Sequence, residues 1–400
     1  MPDSPRGRGL LLILLGVTLL KALLGAFFGY TADIHQTRRQ AEAFLAGRDL
    51  MDPQETATNP SFFFLGHYLI AVLCLWVSRV TGADFTAVLK MPAILTDLGI
   101  ALLLRSARAG GDRAALLYML NPVTFLLSVY HGQLHTVAIG GAVLALWLAE
   151  RGRCAVGSAV LGLATSVRQH VGPLIAPLLL RAGELRLAVA LAFVVPLALI
   201  NLPLLLSARP DRVLAPTWAY GAWGYTVPLR HAPGLLALVG LEVGSMLAPI
   251  NRTLQAYGPA AYWLWSAGFM LWSLRRGAAE PWRSALIYFL GLYVISPGFG
   301  VQWLVWGIPF WIVVQPGGAL VYSVLAGAFL AGTYWQFTLL PKYGYHLTSI
   351  AGNLRILSPG DLAGLILVGL LSFLTWAWCV VCLIRLVRSG PASCSSPSSA

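Results

Sequence analysis

Side chains able to do chemistry are scarce in this sequence, and they fall in a few short stretches. Asp33 stands in the segment GYTADIH, a few residues beyond an apolar run from Leu10 to Phe28. The stretch HGQLHT (His131, Gln133, His135) follows a second apolar run, RQH (Arg168, Gln169, His170) a third, and Gln302 comes after Gly298-Phe299-Gly300. His67 lies within the otherwise apolar segment NPSFFFLGHYLIA. A carboxylate at the edge of an apolar run can take a proton from a hydroxyl whose reaction partner is dissolved in lipid. A guanidinium offers a planar donor fork that suits phosphate, and imidazole and carboxamide groups can donate or accept hydrogen bonds.

Taken singly, each has a plain structural explanation. Asp33 could be a solvated loop acid or a partner of Arg38, and Arg168 could snorkel or cap a helix. Gln302 could be a helix-start residue and His67 an interior imidazole. His131 and His135, at i, i+4 spacing, would share a helix face and could form a two-His metal pair, although no HExxH accompanies them and a metal needs further ligands. Asp97 is expected to pair with Lys90 or Arg105. What argues for function is the convergence: costly polar groups at the ends of several apolar runs, all directed to one side, imply one wet cavity.

The elements that must position these residues follow from composition. The chain has 400 residues, of which 58% are hydrophobic and only 10% charged, against about a quarter charged in soluble domains. Its apolar surplus comes in blocks of roughly 15 to 22 residues, and about 20 apolar residues cross a bilayer as a helix. The expected fold is an all-α polytopic membrane protein with about 12 transmembrane helices and both termini inside. An uncleaved first helix, rather than a signal peptide, is expected at the N-terminus.

The net charge of +12 comes almost wholly from arginines spread over short loops, as the positive-inside bias places them, so nucleic acid is not an expected partner. On that topology residues 29–90 form a large first external loop with interfacial helices, Ser61–Val80 lying along the surface; the alternative, that Ser61–Val80 spans, would put Arg105, Arg108 and Arg113 outside against the positive-inside bias. Residues 207–258 and 334–361 form further external loops. Residues 1–388 make one transmembrane domain, and 389–400 a disordered tail. The CxxC of Cys379 and Cys382 lies in an apolar run without a second ligand pair, which reads as packed or lipid-facing thiols. No Walker loop or dinucleotide fingerprint is present, so an activated donor would have to arrive through the membrane.

Together these residues resemble the GT-C glycosyltransferases, integral-membrane enzymes that use polyprenyl-phosphate-linked sugars. Asp33 after the first helix resembles the acidic residue in their first external loop, and NPSFFFLGHYLIA and KMPAILTDLGIALLL resemble segments of bacterial members. HGQLHT and ATSVRQHVGPLIAPLLL resemble the His-x-x-Gln and Lys-Gln segments of the dolichyl-phosphate-glucose-dependent members, and SPGFGVQWLVWGIPF resembles a late segment of bacterial ones. His135 stands where many bacterial relatives carry Asp, and Arg168 where Lys is usual.

The resemblance implies a GT-C-like fold in a bacterial plasma membrane, with the active site facing outside. It implies inverting transfer of a hexose, of mannose or glucose type, from a polyprenyl-phosphate donor to a glycan, lipid or protein acceptor. Asp33 would be the catalytic base, with Arg168, His170, His131, Gln133, His135, Gln302 and His67 binding donor phosphate or sugar. No cofactor is demanded, and a divalent metal is compatible with the chemistry. The alternative is a multi-pass transporter or lipid-linked-sugar flippase. The absence of a clear internal repeat, and of polar groups near the midplane beyond Lys21 and Asp97, weighs against it.

Overall fold

The computed structural model describes residues 5–29, 31–48, 64–206, 224–227, 229, 236, 244–276, 280–298, 300–343 and 358–389. All regular structure among them is helical. In chain order the helices are α1 (Pro5–Phe27), α2 (Thr31–Leu45), α3 (Leu65–Thr81), α4 (Phe85–Ser106), α5 (Asp112–Met119) and α6 (Pro122–Phe125), which runs into a π-helical turn, Leu126–His131. Then come α7 (His135–Glu150), α8 (Cys154–Val167), a 3₁₀ turn (Gln169–Leu174), α9 (Ile175–Arg181) and α10 (Arg186–Leu205). The last are α11 (Gly244–Ala256), α12 (Gly258–Arg276), α13 (Pro281–Ile295), a 3₁₀ turn (Val301–Val305), α14 (Ile308–Val314), α15 (Pro316–Tyr343) and α16 (Pro359–Arg388).

Among the described residues, five stretches are long and apolar enough to cross a membrane: Gly7–Phe27, Phe85–Ser106, Gly183–Leu204, Pro316–Leu339 and Pro359–Arg388. A sixth results if α5 and the run from Pro122 to His131, bent by 48° at their junction, count as one span. The expected count of about 12 would need the shorter apolar helices as well. The shortfall has a visible cause, because proline and glycine cut the apolar runs. At the bend, Asn121 caps the new helix by accepting from the Val123 N–H (2.9 Å), with Pro122 in its first turn. A 16-residue helix such as α7 is about 24 Å long, short of a hydrocarbon core of about 30 Å.

Three expected loop boundaries move. Helix α4 begins at Phe85, so residues 85–90 belong to a helix rather than to the first loop; Asp84 starts it by accepting from the Thr86 and Ala87 N–H groups. Helix α15 continues to Tyr343, past the expected loop start at Tyr334. Most of the 207–258 segment, residues 344–357 of the 334–361 loop and the tail beyond Ser389 lie outside the described residues, and the end of that loop, from Pro359, already belongs to α16.

The helices pack through small residues, as is usual where lipid replaces water as the surrounding solvent. A Cβ on Gly162 would lie 2.3 Å from the Phe193 carbonyl oxygen, and one on Gly141 would lie 2.6 Å from the Ala164 Cβ. Those contacts lock α8 between α10 and α7. Large apolar side chains such as Leu12, Leu19, Leu187 and Leu199 are exposed on α1 and α10, the surface a bilayer would cover. Within the bundle, Lys21 Nζ of α1 donates to Asp97 Oδ2 of α4 at 2.8 Å, with neither side chain exposed. Tyr118 (2.9 Å) and Ser128 (2.6 Å) also donate to that carboxylate. The partner expected for Asp97 was Lys90 or Arg105; it is Lys21 instead.

The two ends of the bundle differ in character. At one end Arg105 pairs with Asp112 (2.8 Å), Arg151 donates to the Ser106 carbonyl (3.0 Å), Arg181 to the Ala149 carbonyl (2.8 Å), and the Trp282 indole to Glu150 (2.7 Å). The other end holds the C-terminus of α1, the N-termini of α4 and α7, and the C-terminus of α8.

Candidate functional site

Asp33 owes its place to the way α1 stops. Lys90, fully buried on α4, donates from Nζ to the Gly25 carbonyl (2.8 Å) and to the Phe28 carbonyl. A lysine at a helix C-terminus satisfies carbonyls that have no partner within the helix. The chain turns there, and α2 starts at Thr31 with Asp33 in its first turn, where free N–H groups favour a carboxylate. Ile34 is buried and His35 exposed, so His35 does not join the site.

His131 and Gln133 come from the turn opposite. The π turn closes with the Gly132 N–H donating to the Leu127 carbonyl (2.9 Å). Gly132 has φ of +70°, and a Cβ there would sit 2.9 Å from Lys90 Cγ; only glycine suits both demands. The turn also separates His131 from His135, which opens α7. They lie on different helices, so the shared helix face expected of them does not exist. Arg168 follows the last turn of α8 in extended conformation, φ −145°.

These elements bring four of the expected residues into one chain of contacts. Gln133 Nε2 donates to Asp33 Oδ2 at 2.9 Å, and His131 Nε2 lies 3.0 Å from the same oxygen. Arg168 Nη2 donates to Gln133 Oε1 at 3.1 Å. Arg168 is 1% exposed, whereas the Asp33 side chain keeps 30% of its surface. The guanidinium is therefore the deep end and the carboxylate the open one. Burial works to raise the pKa of Asp33, but the hydrogen bond and charge of His131, the hydrogen bond from Gln133 and the charge of Arg168 outweigh it, leaving the carboxyl below its ordinary range.

A second group packs behind. The Trp306 indole N–H donates to His135 Nδ1 at 3.0 Å. The His170 ring lies 4.8 Å from Trp303 and 4.5 Å from Trp306, centre to centre, and the two indoles stack at 4.6 Å. The Arg168 charge acts on Asp33, His67, His135 and His170, so all four lie around it. His67, in the first turn of α3, is held there by Asn201 of α10, whose Oδ1 accepts the Leu65 N–H at 2.8 Å. Gly66 lets that turn close on Ser166, whose Oγ would be 2.4 Å from an added Cβ. Gln302 is buried on the turn Val301–Val305, which packs against the turn carrying His131 and against α7. It forms part of the wall rather than of the contacts running from Asp33 to Arg168.

No protein-family model matches this sequence, and no curated protein matches it either.

Among the described residues no three His, Cys, Asp or Glu side chains are grouped to hold a metal ion. A cleft of about 490 Å³ between α5, α14 and α15 is lined by residues such as Leu116, Leu120, Pro316 and Leu320; none of the site residues borders it. Sequence reasoning missed Lys90, Gly132, Trp303 and Trp306. The i, i+3 spacing of the two tryptophans in QWLVW, one residue after Gln302, puts them on one side of a helical turn and was the signal available.

Proposed function

We propose that this chain is a GT-C-type membrane glycosyltransferase that moves a hexose from a polyprenyl phosphate to an acceptor hydroxyl. The observation that carries the reading is the contact chain from Asp33 through Gln133 to Arg168, with His131 beside the carboxylate. It couples an accessible proton acceptor to a buried cation, the pairing needed when a hydroxyl attacks and a phosphate leaves. The acceptor oxygen bonds to the anomeric carbon as the bond from that carbon to the phosphate oxygen breaks. The hydroxyl proton goes to Asp33, the electron pair leaves on the lipid phosphate, and the configuration at the anomeric carbon inverts.

A carboxylate held below its usual pKa is a weak base. Asp33 would therefore take the proton late, as the new bond forms, and positioning would supply much of the rate. Arg168 and the imidazoles around it would stabilise the charge developing on the phosphate. The arginine-rich end of the bundle lies opposite the site, and by the positive-inside rule that end faces the cytoplasm. The reading thus has about 12 spans, counting the shorter apolar helices, and an extracytoplasmic site. The transporter alternative would draw on Lys21 and Asp97, yet that pair is sealed and already satisfied by Tyr118 and Ser128.

The test is transfer by purified protein from a panel of polyprenyl-phosphate hexoses. Asp33→Asn should abolish product while the protein remains inserted and monodisperse. Undiminished transfer by that variant would sink the reading.

A further inference from the structure

His135 has its two ring nitrogens in different situations. Nδ1 accepts from the Trp306 indole N–H, and an indole N–H can only donate. Nδ1 must therefore carry a lone pair. The ring that satisfies Trp306 is the neutral one with its proton on Nε2, because a proton on Nδ1 would face another donor. That Nε2–H is buried, in a residue 2% exposed, and has no partner among the described residues. A donor so placed forfeits free energy unless something accepts from it.

The groups that act electrostatically on His135 are Arg168, His170, His131 and His67, and none is a carboxylate. No described residue supplies the acceptor, and next to a guanidinium the fitting one is an anion with several oxygens, which a ligand would bring. We propose that Trp306 fixes the tautomer of His135 so that its Nε2–H, together with Arg168, binds the phosphate oxygens of the ligand. His135 is then a binding residue with a preset donor, and Trp306 a positioning residue acting through it. The identity of that phosphate as a lipid phosphate rests on the function proposed above; the preset donor does not.

Binding of a short-chain prenyl monophosphate, without sugar, tests this apart from any transfer reaction, with the prenyl alcohol as control. His135→Asn keeps an acceptor near the Nδ1 position for Trp306 but removes the Nε2 donor, and should weaken prenyl phosphate binding about ten- to a hundredfold. His135→Gln reaches the Nε2 position with an amide donor and should stay within about threefold of the parent. The alcohol should bind all three proteins alike. Nitrogen-15 NMR of histidine-labelled parent protein, with the His135 signal assigned by its loss in the Asn variant, should show a bare Nδ1 and a protonated Nε2. Trp306→Phe should turn that signal into a tautomer mixture. Equal phosphate affinity in the Asn variant, an equal loss for the alcohol, or a protonated Nδ1 in the parent would each overturn the proposal. A failure of Asp33→Asn to affect transfer would leave these measurements untouched, so the two readings fall separately.

Discussion

The Arg168 guanidinium is joined to the Asp33 carboxylate through the side-chain amide of Gln133, which accepts from the first at 3.1 Å and donates to the second at 2.9 Å. An amide can hold both partners only in this orientation, nitrogen toward the carboxylate and oxygen toward the guanidinium. Gln133→Leu should leave a buried cation short of an acceptor and the carboxylate short of a donor. Each such loss costs about 1–3 kcal/mol, so transfer should fall roughly ten- to a hundredfold with the helical content unchanged. Gln133→Glu should behave differently, keeping the acceptor for Arg168 while setting a second carboxylate against Asp33. Steady-state transfer rates in the two variants, beside circular dichroism, check this.

The direction of the Asp33 shift fixes a pH dependence. Its carboxyl is held below the ordinary value of 3.8 in the folded protein. The stability this contributes is present above that value and is lost as pH falls through the lower, folded-state pKa. The acid limb of the transfer profile that belongs to Asp33 should therefore lie below about pH 4. His131→Leu removes the two strongest lowering influences and leaves burial opposed only by Gln133 and Arg168. The acid limb should move upward in that variant, and a pH–rate profile on each protein is the measurement.

Lys21 and Asp97 test structure rather than chemistry. Asp97→Asn leaves the Lys21 ammonium buried with no counter-charge, and breaking a buried pair from one side costs about 3–5 kcal/mol. Replacing both, as Lys21→Met with Asp97→Asn, should recover most of that loss, because no charge remains to be paired and the amide can still hydrogen-bond Tyr118 and Ser128. Thermal unfolding in detergent, read as a double-mutant cycle, should give a large coupling energy. Transfer by the double variant should track its stability.

Asp33, Gln133 and Arg168 were legible because polar residues in so apolar a chain stand out, and each follows the end of an apolar run. Their meeting was also legible, since runs of alternating direction return their ends to one side. The role of Lys90 was not: nothing in its neighbourhood says that its ammonium reaches Gly25 and Phe28, 65 and 62 residues earlier. The partner of Asp97 was missed for the same reason, with Lys21 lying 76 residues away. Trp303 and Trp306 were hidden by abundance, being two of 14 tryptophans in a chain where aromatic residues read as ordinary membrane filling. The ends of α4 and α15 were misjudged because caps and helix continuity depend on neighbours that sequence spacing does not reveal.

The widened π turn from Leu126 to His131 carries one residue more than an α-helix would need over the same rise. Deleting a single residue from it would let the coil tighten, and each residue of an α-helix turns by about 100°. His131 would swing away from the aspartate, while everything from Gly132 onward kept its composition unchanged. The catalytic geometry proposed for this chain thus hangs on a length, and a one-codon deletion in an otherwise forgiving apolar stretch should silence it as thoroughly as losing the acid itself.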